Sequence, residues 1–142
     1  MRNSLVIEGY ASRFFRRDLA GDIVLPGAFS RSIAQRNPRG IRMLFQHDAS
    51  EPVGIWDQIF EDNKGLFVRG HIIADGPRGR TALALAKRGS VDGLSIGFRT
   101  QQAQPNGRGR DLNEIDLWEV SIVTFPMLPE ARFRVAEALL PA

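Results

Sequence analysis

Val53-Gly54-Ile55-Trp56-Asp57-Gln58-Ile59-Phe60, then Asp62-Asn63-Lys64-Gly65, then Leu66-Phe67-Val68-Arg69-Gly70-His71-Ile72-Ile73 carries the plainest structural signature in this 142-residue chain. Two runs rich in β-branched, aromatic and aliphatic residues flank four turn formers, the pattern of an antiparallel hairpin. Glu51-Pro52 breaks the chain before the first run. Upstream, Ile41 to His47 alternates so that Ile41, Met43, Phe45 and His47 share a face, and His47 is expected at the end of an apolar stripe. Leu5 to Phe14 reads as an opening strand with Leu5, Ile7 and Gly9 facing one way and Val6, Glu8 and Tyr10 the other. Asp18 to Asp22 is loop-like. Pro26-Gly27 leads into Ala28 to Gln35, a short helix with Phe29 and Ile33 on one face, stopped by Asn37-Pro38.

Downstream of the hairpin, Asp75-Gly76-Pro77 opens a loop. Arg80 to Arg88 is built from strong helix formers and ends at Gly89, a C-cap signal. Leu94 to Gln101 resumes alternation, with Leu94, Ile96 and Phe98 on one face and Ser95 on the other. Pro105 to Gly109 reads as a surface loop or hairpin tip, Leu112 to Phe125 as a long strand stopped by Pro126, and Pro129 to Leu140 as a terminal helix. Several strands punctuated by helices, without regular βαβ alternation, predict a mainly β domain spanning residues 1–142: a barrel or strongly bent sheet with peripheral helices.

Composition narrows the function. Hydrophobic residues make up 43% and charged residues 25% of the chain, which is ordinary for a soluble globular protein. No apolar run approaches the roughly 20 residues of a membrane span, and the N-terminus lacks a secretory signal, so a cytoplasmic protein is expected. The formal charge is +3 and Lys64 and Lys87 are the only lysines. The arginines are scattered among acidic residues, with no aromatic-interleaved basic face, which argues against nucleic acid as a partner. Zero cysteines exclude disulfides, thiol catalysis and thiolate-bound zinc.

With no cysteine and only two histidines, a nucleophile, a base and an orienting carboxylate can be assembled in few ways. Ser95 sits in Gly93-Leu94-Ser95-Ile96-Gly97-Phe98, where flanking glycines allow close backbone approach and unusual dihedrals. By itself G-x-S-x-G is a weak signal: in α/β hydrolases it marks a strand-turn-helix elbow, whereas Phe98-Arg99-Thr100-Gln101 continues as strand. His47 ends its strand beside Asp48, where loops meet solvent, while His71 is expected in an edge-like strand. Glu119, among Leu117, Trp118, Val120 and Ile122, is expected at least half buried and in need of a partner that an imidazole N–H can supply. Asp48 and Asp116 are the rival carboxylates.

Taken together, Glu8-Gly9-Tyr10-Ala11, Asp22-Ile23-Val24-Leu25-Pro26-Gly27-Ala28-Phe29, Phe45-Gln46-His47-Asp48 followed by Pro52-Val53-Gly54, Gly65 to Gly70, Gly93 to Phe98 and Leu117 to Val123 before Pro126 resemble the HK97-type prohead serine proteases of tailed phages, prophages and gene transfer agents. That family is similar in fold to the herpesvirus assembly proteases, so the resemblance implies an antiparallel β-barrel surrounded by helices. It also implies proteolysis of scaffold, of the N-terminal segment of the major capsid protein, or of both, inside an assembling procapsid. His47 then matches the catalytic base, Ser95 the nucleophile and Glu119 the third member, where the herpesvirus enzymes carry a second histidine. Their oxyanion arginine pair has no counterpart just after Glu119, which leaves backbone N–H groups of the Phe125 to Leu128 stretch as candidates by position. No cofactor or metal is implied, and the herpesvirus enzymes suggest a homodimer. Two alternatives stay open: a catalytically silent assembly factor that binds scaffold or coat, and a small nucleic-acid-binding barrel.

Overall fold

The structure, a computed structural model, describes residues 3–136. In chain order the elements are β1 (Ser4–Arg13), β2 (Asp22–Val24), α1 (Ser30–Gly40), β3 (Arg42–Phe45), β4 (Gly54–Glu61), β5 (Gly65–Ile73), α2 (Pro77–Lys87), β6 (Gly93–Asn106), β7 (Gly109–Val123) and β8 (Phe133–Val135). The architecture is mainly β with two helices, as the strand-rich pattern predicts.

The expected antiparallel barrel is corrected in part. The strands form one 8-stranded sheet in the order β2-β7-β3-β4-β5-β1-β8, with β6 pairing β7 off this path. The sheet is mixed, because β2 and β3 both run parallel to β7. In the chain α1 connects β2 to β3, which pair with different stretches of β7. The neighbour order is also open, running from β2 at one end to β8 at the other.

The hairpin is found where its turn residues place it: β4 and β5 pair antiparallel from Gly54↔Ile72 to Glu61↔Leu66. β5 also pairs β1, so His71 lies on an interior strand and not an edge-like one. β6 and β7 form a second, longer hairpin, paired from Gly93↔Val123 to Asn106↔Gly109 with Gly107 in the left-handed region at its tip. Trp56, fully buried, donates its indole N–H to the Val120 carbonyl at 3.3 Å and ties β4 to β7 across the core.

All three helix expectations shift, and α2 starts at Pro77, inside the expected loop. The first helix starts at Ser30, because Ala28 and Phe29 are fully buried and Glu61 accepts the N–H groups of Gly27 (2.8 Å) and Phe29 (2.9 Å) just before it. The Glu61 carboxylate thereby holds the turn that leads into the helix. Asn37 breaks the helix with φ 62° and ψ 163°, as Asn37-Pro38 suggests, yet one further turn carries it to Gly40. The Pro129 to Leu140 helix is replaced by β8, which pairs β1; positions 137–140 of that expectation lie outside the described residues. Asp22–Val24, on the edge of the expected loop, is a short strand on β7. Among the described residues no helix is long and apolar enough to cross a membrane.

Candidate active site

β7 is the platform of the site. It carries β6 on one edge and β3 on the other, so Ser95 faces Ser121, Gly97 faces Glu119, and Leu44 lies beside Ser121 in register. Ser95, Glu119 and the end of β3 are thereby brought together from distant parts of the chain.

The β3 ladder ends with the Gln46 N–H on the Ile122 carbonyl at 2.9 Å. The backbone then turns sharply: Gln46 (φ 55°) and His47 (φ 61°) are both left-handed. His47 therefore does not continue the apolar alternation of Met43 and Phe45; it lies past the strand, its side chain 44% exposed. Left-handed non-glycine residues cost on the order of 1–3 kcal/mol each and persist only where neighbours over-determine them. Here the neighbours are specific. The Gln46 amide donates to Thr124 Oγ1 at 2.7 Å and accepts the Thr124 N–H at 3.3 Å. Arg78 donates to the Phe45 carbonyl at 3.1 Å, lies over the Phe45 ring and pairs with Asp48 at 3.1 Å.

The His47 ring meets Glu119, with Nδ1 2.6 Å from Oε2. The Glu119 side chain is only 13% exposed. This contact raises the His47 pKa above the ordinary imidazole value, the Glu119 hydrogen bond outweighing the opposing effect of burial. A carboxylate on Nδ1 favours the tautomer with the proton there and leaves Nε2 as the free basic nitrogen. The other carboxylates are engaged elsewhere: Asp48 with Ser50 and Arg78, Asp116 with Arg36 and the Trp118 indole.

Ser95 is 7% exposed and, with His47, lines a cavity of about 220 Å³. Leu94, Ile96, Phe98, Val24 and Leu128 supply apolar wall, and Arg13, Arg16 and Asp18 supply charge. The structure brings Ser95 and His47 to one cavity without a direct hydrogen bond between them among the described residues. The flanking glycines act through space, not dihedral freedom, since neither Gly93 nor Gly97 has a positive φ. A Cβ on Gly97 would overlap the Glu119 carboxylate, 2.6 Å from its Cδ, and one on Gly93 would sit 2.8 Å from the Pro126 ring. Gly97 is thus the gap into which the Glu119 head group folds.

One residue escapes the sequence reading. Ser121 is fully buried, and its hydroxyl donates to Glu119 Oε1 at 2.6 Å while accepting the His47 N–H at 3.1 Å. The available signal was a polar side chain two residues after Glu119, on the same strand face, set between Val120 and Ile122.

Solved structures share this arrangement of strands and helices. The chain is similar to the bacteriophage T4 capsid assembly protease (TM-score 0.64, 16% identity, 83% of this chain and 80% of that one). It is also similar to the KSHV protease, solved with a hexapeptide phosphonate inhibitor (TM-score 0.60, 13% identity, 96% of this chain and 66% of that one). At such identities the likeness establishes the fold class alone. The family is fixed by sequence: residues 1–140 match the model of the caudovirus prohead serine proteases, and the chain belongs to that family. The prohead protease of Enterobacteria phage HK97 is 39% identical over 130 residues, 89% of this chain and 57% of the relative, so the chain spans little more than half the length of that protein.

Proposed function

We propose that this chain is a serine endopeptidase of capsid maturation, with Ser95 as nucleophile, His47 as general base and Glu119 as the group that orients and charges the histidine. The observation that carries the reading is the 2.6 Å contact between His47 Nδ1 and Glu119, which leaves Nε2 as the basic nitrogen of a residue that shares a cavity with Ser95. In the cycle, Nε2 takes the Ser95 hydroxyl proton as Oγ attacks a peptide carbonyl. It returns the proton to the leaving amine, and water resolves the acyl-enzyme by the same route. Glu119 stabilises the imidazolium that forms between those steps. Two N–H donors aimed at the developing oxyanion contribute roughly 3 kcal/mol each; backbone groups from Phe125 to Leu128 are the candidates, with Met127 and Leu128 in the cavity wall.

The substrates in this reading are scaffold and the N-terminal segment of the major capsid protein, cut within assembling procapsids in the host cytoplasm. Family membership supports that choice. The test is co-expression with the neighbouring capsid gene, followed by mass spectrometry of the coat N-terminus. Trimming is expected with the unsubstituted chain and not with Ser95→Ala. Equal trimming by both would overturn the proposal, and assembly without trimming by either would favour a catalytically silent assembly factor.

A further inference from the structure

We propose that Ser121 is a positioning residue of the site, a buried hydroxyl that sets the His47 ring against Glu119 by holding both partners at once. The inference rests on the triad reading given above. Ser121 has no exposure and so does not touch substrate; whatever it does, it does through other residues.

The geometry is a closed ring of contacts. Ser121 Oγ donates to Glu119 Oε1 at 2.6 Å, and Glu119 Oε2 lies 2.6 Å from His47 Nδ1. The ring closes where the His47 backbone N–H donates to Ser121 Oγ at 3.1 Å. A hydroxyl has one proton to give and lone pairs to receive, and here both capacities are used. With one oxygen on Ser121 and the other on the imidazole, the carboxylate has no free rotation about its terminal bond. On the histidine side, the ladder between β3 and β7 has already ended at Gln46. The two left-handed residues turn the next N–H away from the regular ladder, and the Ser121 side chain receives it in place of a backbone carbonyl. One atom therefore satisfies a strained backbone donor and fixes the carboxylate that the same residue's ring must meet.

Ser121→Ala removes that atom with little change in volume. It leaves the His47 N–H and Glu119 Oε1 without their partner, both close to the ring that must keep its alignment. Small misplacements of a catalytic group are costly in rate, about 100-fold for a displacement near 1 Å. The expected result for Ser121→Ala is a native circular dichroism spectrum, a fall of roughly 10- to 100-fold in the rate of fluorophosphonate labelling of Ser95, and a mixed His47 tautomer in nitrogen-15 imidazole spectra. The unsubstituted chain is expected to give the Nδ1–H form alone at a pH where the ring is neutral. A residue that served only packing would leave the tautomer untouched. Should Ser121→Ala not fold, Ser121→Cys carries the same test, with near-equal volume and a weaker donor, and an intermediate effect on both readouts is expected. Labelling within about 3-fold of the unsubstituted rate, together with an unmixed Nδ1–H tautomer, would overturn the proposal. Absence of labelling in the unsubstituted chain would instead refute the Ser95 nucleophile, while the imidazole spectrum would still report on Ser121.

Discussion

Among the described residues there are two histidine–carboxylate pairs of similar length and different construction. His47 Nδ1 lies 2.6 Å from Glu119 and His71 Nδ1 lies 2.9 Å from Asp57. The second pair links the neighbouring strands β4 and β5, with Asp57 at the irregularity in β4 between Trp56 and Gln58, its carboxylate 38% exposed and near Arg39 at 3.8 Å. The first is assembled from the end of one strand and the middle of another; its carboxylate is 13% exposed, its histidine backbone is left-handed, and its ring borders a cavity with Ser95. A short imidazole–carboxylate contact alone does not mark a catalytic pair. What separates the two is the expense of the surroundings: strained backbone, a buried carboxylate, and a glycine whose missing side chain makes the room.

The largest predicted difference comes from deleting the groups proposed to react. Ser95→Ala and His47→Ala should each lower peptide cleavage by roughly 10⁵- to 10⁶-fold, and the double variant should be hardly slower, because members of one catalytic unit are not additive. Steady-state assays on capsid-derived peptides would measure this; a double variant much slower than either single one would separate His47 from Ser95. Next comes Glu119→Gln, which keeps shape and removes charge and should cost roughly 10²- to 10⁴-fold in turnover.

Gly97→Ala should approach the loss of Glu119→Gln, since the new Cβ occupies carboxylate space. Turnover by a folded Gly97→Ala protein within a few-fold of normal would show that Glu119 can serve from another position. The pH profile sharpens the comparison further. The Glu119 contact holds the His47 pKa above the ordinary imidazole value, and a base must be neutral to act. Glu119→Gln should therefore shift the acid limb of the rate profile to lower pH. The His47 contact should also add stability that is fully present below the ordinary imidazole pKa and lost as pH rises through the raised one. Chemical denaturation of both proteins across that window checks the sign. The smallest effect is reserved for the second pair: His71→Ala should leave turnover within about 3-fold and stability within about 1 kcal/mol.

Much of the fold was legible because local patterns coincide with the final elements. The Asp62-Asn63-Lys64-Gly65 turn and its flanking runs become β4 and β5, and Gly89 ends α2 as a left-handed glycine. What stayed hidden depends on pairing between distant segments. Nothing in Asp22-Ile23-Val24 announces that it will lie parallel to β7, and nothing in Phe133-Arg134-Val135 announces that β1 will draw it into a strand. The site divides in the same way. Glu119 was recognisable as a carboxylate set among apolar neighbours. The left-handed turn at Gln46 and His47 was not, because period-two reasoning extends a strand until a glycine or proline stops it, and here Thr124, Arg78 and Ser121 turn the chain instead. The roles of Gly97 and Ser121 follow only from the register of β6 and β3 on β7.

The point at which an active-site serine reagent attaches tests the Ser95 and His47 assignment most directly. Treating the purified chain with a fluorophosphonate and locating the adduct by peptide mass spectrometry should find it on Ser95, with labelling lost in His47→Ala and retained in His71→Ala. An adduct on another residue, or labelling that depends on His71 and survives the loss of His47, would contradict it.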